Sequence, residues 1–122
     1  VVVDMTPEDL NRVLMPKAVG ALHLNAATAN VSTLEQFVVT STVSTIVGNP
    51  EQANYSAANA MLDALVATRV AQGKPALGLQ LGALRGAGVV EASTAVAKII
   101  ASRGFKTVHV DEVCDCLGNL IG

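Results

Sequence analysis

The order of a few short segments limits this chain more than any single residue does. Phe37-Val38-Val39-Thr40 is short, β-rich and apolar on both sides, and residues 76–84, ALGLQLGAL, form a second such run. Between them apolar residues return at helical spacing, at Ala58, Met61, Leu62, Leu65 and Val66, until Gln72-Gly73-Lys74-Pro75 stops the helix. A continuous apolar strand suits a buried parallel sheet. Strands that alternate with helices argue for an α/β layered fold.

The flanks agree with that order. Thr6 is placed to cap a helix, Pro7 suits its first turn, and Glu8 and Asp9 complement the positive helix end. Leu10, Val13 and Leu14 form a stripe that Pro16 interrupts, and Val19, Leu22 and Ala26 resume it, which predicts one long, bent helix. Beyond the second strand lie the Gly-rich GALRGAG, a helical stretch over roughly 92–102, a short extended piece, and a last helix from Asp111. No repeat, low-complexity tract or linker interrupts the 122 residues.

Charge and cysteine usage narrow the function classes. Eight basic and ten acidic residues give a net charge of −2, so no electrostatic pull toward nucleic acid or an anionic membrane is expected. No apolar run reaches the roughly 20 residues a bilayer requires. Cys114 and Cys116 form a C-x-C pair without a nearby histidine, so no metal site is expected and two ordinary thiols of a cytoplasmic protein are the simpler reading. His23 and His109 lack partners at diagnostic spacing and read as structural.

The remaining chemistry gathers around Tyr55, the one tyrosine, set among Ala53, Ser56, Ala57 and Ala58. With a helix starting near Pro50, Tyr55 and Asn59 stand four residues apart on one face. The first strand ends in Ser41-Thr42, with Ser44 following, and ligands of parallel sheets gather at the carboxyl ends of strands. By spacing alone a lone tyrosine is most often a packing residue, and Lys17 alone a solvated helix lysine.

The ordered motifs PKAVGALHL, FVVTST, GNPEQANYSAANAMLDAL and GKPALGLQLGA resemble the second half of the ketoreductase domain of modular polyketide synthases and related fatty acid synthases, a branch of the short-chain dehydrogenase/reductases. The resemblance covers about residues 5–120, and its most specific part is Gln52 to Asn59. It implies part of a Rossmann-like, doubly wound parallel sheet flanked by helices. By the family's pattern, residues 1–122 are expected to be the C-terminal catalytic part of the domain, without the N-terminal phosphate-binding part. The 122 residues alone are therefore expected neither to bind NADPH measurably nor to reduce a ketone, and to be poorly soluble or self-associating.

The implied activity is NADPH-dependent reduction of a 3-ketoacyl thioester, carried by an acyl carrier protein, within a cytoplasmic synthase whose other domains are partners. Tyr55, Lys17 and Asn59 match the family's catalytic tyrosine, its lysine from an earlier helix, and the asparagine four residues after the tyrosine. The family serine stands thirteen residues before the tyrosine, where this chain has Thr42; threonine keeps the hydroxyl but restricts its rotamer. Gln80-Leu81-Gly82 replaces the usual Trp-Gly, and Val47 stands where one stereochemical class has tryptophan, which leans toward the other class. Tyr55 and Lys17, with Gly82 and Ala83, are implied to contact the cofactor.

The chemistry gives each role a reason. A ketone that receives hydride becomes an alkoxide and needs a proton. A free phenol, with a pKa near 10, relays protons poorly at neutral pH, and a neighbouring ammonium favours its ionised form. Tyr55 is thus the expected general acid, Thr42 the hydroxyl on the developing oxyanion, and Asn59 the holder of the lysine or of a relay water.

Three other readings stand beside this one. Gly82, Gly86 and Gly88 reproduce a phosphate-loop spacing, with Asp111 as a ribose-binding acid, but they follow Tyr55, whereas the family's phosphate loop precedes it. A catalytically degenerate domain kept as a structural part of the synthase is favoured by Thr42 and opposed by intact Lys17, Tyr55 and Asn59. A free-standing reductase of a small ketone is opposed by asparagine at position 59.

Overall fold

Thr6 begins the structure as the sequence predicts. Its hydroxyl accepts from the Asp9 amide at 3.2 Å, and the Asp9 carboxylate accepts from the Thr6 amide, also at 3.2 Å, a capping box that satisfies two amides otherwise left bare. Hydrogen bonds from the Thr6 hydroxyl and amide hold the Asp9 carboxyl below its usual value. A lowered folded-state value means that this support is complete above the ordinary carboxylate range and is lost as the pH falls through the lowered value. The computed structural model describes residues 2–87, 94–102 and 104–122. They form two compact units, Val1–Gln80 and Leu81–Gly122.

In the first unit, helix α1 (Pro7–Leu14) continues through a π-helical segment (Met15–Val19) into α2 (Gly20–Ala27). The long helix predicted across Pro16 is present, and the proline is absorbed by a wider turn in which the Gly20 amide reaches back to the Met15 carbonyl. Strand β1 (Val38–Thr42) leads into a one-turn helix α3 (Ser44–Val47), then the long helix α4 (Ala53–Ala71), then strand β2 (Leu77–Leu81) beside β1. The strand ends at Thr42, as the sequence predicts. The structure corrects the sequence expectation at two points: a one-turn helix, α3, stands between that strand end and the turn, and α4 starts at Ala53, because Glu51 takes a left-handed φ of 66° that no helix admits. Helix α4 ends as expected: Gly73 (φ 69°) donates to the Val70 carbonyl and the Lys74 amide to that of Arg69, satisfying two terminal carbonyls.

The core of this unit is Ala21, Phe37, Leu62 and Leu65, with Leu34 and Val39 packed against it. Leu62 and Leu65 are the inward residues of α4's apolar stripe, each contributing about 1.5–3 kcal/mol by leaving water. Arg69 is 1% exposed on the same helix; its guanidinium lies 4.0 Å over the Phe37 ring and donates to Asn25 Oδ1 at 2.7 Å and to the Pro75 carbonyl at 3.1 Å.

In the second unit, β3 (Ala83–Arg85) pairs in parallel with β4 (Thr107–His109), Leu84 opposite Val108, while α5 (Thr94–Ser102) falls between them in sequence and α6 (Val110–Ile121) follows. The run 76–84 is therefore two strands divided at Gly82, not one. His109 is structural, as expected, and the structure shows how: its Nδ1 accepts from the Asp111 amide at 3.3 Å and caps α6. A Cβ on Gly86 (φ 85°) would stand 2.6 Å from His109 Nε2, so glycine is required there by the imidazole. Among the described residues no helix is long and apolar enough to cross a membrane.

Candidate active site

The alanines around Tyr55 allow two helical elements to approach closely. Ala58 on α4 is fully buried and Ala18 on the π-helical segment nearly so, and these elements pack together. Small side chains at such a contact bring the backbones near one another, so polar groups flanking them can meet. Lys17, beside Ala18, reaches across to α4, and its Nζ donates to Asn59 Oδ1 at 3.1 Å. The same ammonium lies 5.3 Å from the centroid of the Tyr55 ring.

Asn59 is fully buried and used at both ends of its amide: Nδ2 donates to the Tyr55 carbonyl at 2.7 Å while Oδ1 receives Lys17. It thereby ties the lysine to the turn of α4 that carries the phenol. A buried amide with both groups engaged has its orientation fixed by its partners. Asn54 secures the start of the helix, donating to the Asp9 carbonyl on α1 at 3.0 Å and accepting from the Tyr55 amide at 2.9 Å. Tyr55 itself is half-buried, and its hydroxyl has no hydrogen-bond partner among the described residues.

Thr42 sits at the end of β1, buried, and its hydroxyl pairs with that of Ser44 at 2.7 Å. No hydrogen bond joins it to Lys17, Tyr55 or Asn59 among the described residues. Ser41, on the other side of the strand, gives its hydroxyl to Asp63 of α4. Gly82 and Ala83 lie at the β2–β3 junction, in the second unit.

The glycine-loop alternative has less behind it: Gly86 accommodates His109, Asp111 is 3.2 Å from His109 Nδ1, and Gly88 lies outside the described residues. Among the described residues no cluster of three histidine, cysteine or acidic groups is placed to hold a metal, and the exposed Cys114 and Cys116 stand two apart on a helix, a spacing that does not face one partner. Asp63 is a site neighbour that the sequence motifs do not single out. Its signal is simple: it extends the spacing of Tyr55 and Asn59 by four more residues along the same helix.

A family model described as KR domain matches residues 1–86. The chain belongs to this ketoreductase family. The ketoreductase chain is 39% identical over 110 residues to the lovastatin diketide synthase mokB of Monascus pilosus and 38% identical over 109 residues to a highly reducing polyketide synthase of Pyrenophora dematioidea, each match covering 89% of this chain. Among solved structures it is similar to the first ketoreductase of the tylosin polyketide synthase, with 36% identity and a TM-score of 0.83 over 93% of this chain. It is also similar to A-type ketoreductases from a modular polyketide synthase, with 28% identity and a TM-score of 0.89 over 98%. These neighbours support the Rossmann-type, short-chain reductase architecture expected from the strand and helix order. The ketoreductase chain spans 4% of the length of the two synthases and 24–25% of the two solved chains.

Proposed function

We propose that this ketoreductase chain carries the proton-donating machinery for NADPH-dependent reduction of a 3-ketoacyl thioester on an acyl carrier protein to the 3-hydroxyacyl thioester, as part of a larger synthase. The observation that carries the reading is the reach of Lys17 to Asn59 at 3.1 Å with its ammonium 5.3 Å from the Tyr55 ring. The degenerate-scaffold reading has one point in its favour, Thr42 in the serine position, and the intact trio weighs against it. The exposed, unpaired thiols of Cys114 and Cys116 support a cytoplasmic setting.

The residues fit a nicotinamide nucleotide. The ammonium of Lys17 has three donors and one of them goes to Asn59, and the Tyr55 hydroxyl is unpartnered among the described residues, so both have capacity left for ribose hydroxyls. The family resemblance assigns cofactor contacts to Gly82 and Ala83 as well; among the described residues a Cβ on Gly82 would meet nothing within 4 Å.

When bound, the dihydronicotinamide supplies hydride to the carbonyl carbon. The Tyr55 hydroxyl gives its proton to the carbonyl oxygen as negative charge develops there, which avoids a free alkoxide. The phenolate left behind is stabilised by the Lys17 ammonium, whose position Asn59 fixes. Lys17 passes a proton to the phenolate and takes one from solvent in its place, which restores the phenol and the ammonium. Thr42, released from Ser44 or sharing its hydroxyl, donates a hydrogen bond to the same carbonyl oxygen and orients the substrate.

Thr42 separates the enzyme from the scaffold. Thr42→Ser is expected to keep turnover within about tenfold, roughly 1.4 kcal/mol of barrier, and Thr42→Val, which keeps the shape without the hydroxyl, to lose considerably more. Steady-state assay of the synthase ketoreductase containing this chain decides it, since a fully active Thr42→Val variant assigns the orienting hydroxyl elsewhere. For the cofactor, Gly82→Ala should raise KM for NADPH about tenfold, equivalent to roughly 1.4 kcal/mol, with no change in thermal midpoint. An unchanged KM removes Gly82 from the binding site.

A further inference from the structure

We propose that Asp63 is a positioning residue that locks the end of β1, and with it Thr42, to the helix that carries Tyr55. The inference rests on the reading of Thr42 as the substrate-orienting hydroxyl. Asp63 follows Asn59 by four residues and Tyr55 by eight, so it lies on the same side of α4, one turn beyond the asparagine that holds Lys17. Its two carboxylate oxygens hold different strands. Oδ1 accepts from the Ser41 hydroxyl on β1, and Oδ2 accepts from Gln80 Nε2 on β2 at 2.9 Å.

The Gln80 amide nitrogen also donates to Thr45 Oγ1 at 3.2 Å, and the Thr45 hydroxyl donates to the carbonyl of Thr42 at 2.9 Å. Thr42 is thus held from two directions. Its preceding neighbour is tethered through Ser41, and its own carbonyl through Thr45, Gln80 and Asp63. Neighbouring side chains on a strand point to opposite faces, so fixing the rotation of Ser41 fixes the direction in which Thr42 is presented. None of these groups hydrogen-bonds Lys17, Tyr55 or Asn59 among the described residues, and the proposal routes their effect on chemistry through Thr42.

A carboxylate suits the position because it accepts at both oxygens and donates at neither. In Asp63→Asn one carboxylate oxygen becomes a donor, so either Gln80 meets a second donor or the Ser41 hydroxyl must turn from donating to accepting, and in both cases a charge-assisted bond is lost. The link reaches turnover through geometry, where small misplacement of an orienting group is costly.

The experiment is a double-mutant cycle in the synthase ketoreductase containing this chain, combining Thr42→Val with Asp63→Ala, Asp63→Asn and Gln80→Met. It reads kcat and KM with a 3-ketoacyl thioester and the denaturant midpoint. Asp63→Ala and Asp63→Asn should each lower kcat about tenfold with KM little changed, and Gln80→Met about threefold. In the Thr42→Val background none of them should lower kcat further. Additive losses overturn the proposal, because a merely structural weakening acts whether or not the Thr42 hydroxyl is present. Unchanged kcat in the single variants overturns it as well. Should Asp63→Ala fail to fold, Gln80→Met carries the cycle from an exposed strand position. If Thr42→Val by itself leaves kcat intact, the substrate-orienting role fails and the proposal with it; loss in Thr42→Val with additive Asp63 effects rejects the positioning role alone.

Discussion

Replacing Tyr55 by phenylalanine is expected to reduce turnover of a 3-ketoacyl thioester by about 100-fold or more, the usual scale for losing a positioned general acid, while the protein remains folded. Phenylalanine removes the hydroxyl and nothing else. The ring keeps its place over the Lys17 ammonium, whose attraction depends on the π-face. The amide and carbonyl of Tyr55, which bond to Asn54 and Asn59, are unaffected by the substitution. Because the hydroxyl has no partner among the described residues, its removal strands no donor or acceptor, and stability should stay within about 0.5 kcal/mol. The assay is NADPH absorbance with the synthase ketoreductase containing this chain. Near-normal turnover by the variant would sink the general-acid assignment.

A second large effect is expected far from the chemistry. Arg69→Ala should destabilise the protein by about 2–4 kcal/mol, the combined scale of a buried cavity and of orphaned hydrogen-bond acceptors. Arg69 is 1% exposed, stacked at 4.0 Å on Phe37, and no carboxylate pairs with it among the described residues. Its charge is accommodated instead by the ring face, the Asn25 side chain and the Pro75 carbonyl, which join α2, β1's leading residue and the turn before β2 to α4. Truncation loses the stacking and leaves the Pro75 carbonyl and Asn25 Oδ1 without their donor. Lysine should recover only part of the loss, since it lacks the flat guanidinium that stacks on Phe37 and forks between two acceptors. Urea unfolding measures this, and an Arg69→Ala midpoint equal to the parent's would show that the ring and carbonyl contacts contribute nothing.

What is legible in the sequence follows from local physics. The helix start at Thr6, the stop at Gly73 and the inward residues Ala58, Leu62 and Leu65 each depend on residues within a turn or two, and all are found where the pattern puts them, whereas Met61 of the predicted stripe is exposed. The spacing of Tyr55 and Asn59 depends only on helical period, so it holds although the helix begins at Ala53 rather than near Pro50. That start is hidden because Glu51 adopts a left-handed conformation that a non-glycine residue does not advertise. The one-turn helix α3 is hidden for a related reason, since four residues of Ser-Thr-Ile-Val carry too little periodicity to separate a helical turn from a strand end. The division of residues 76–84 at Gly82 is hidden because both halves read equally as strand.

The sequence by itself determined most of the strand and helix order and the family, and it nominated Tyr55, Lys17, Asn59 and Thr42 for the chemistry, because each of these is written in residue types and short spacings. Tertiary structure alone decided who holds whom. Lys17 meets Asn59 across 42 residues because Ala18 and Ala58 let their helices close together, and a π-helical turn at Pro16 lies beneath the lysine. Asp63 joins Ser41 across 22 residues and Gln80 across 17, and Arg69 joins Asn25 across 44. Contacts at such separations depend on where the chain returns in space, and no local propensity or period encodes that.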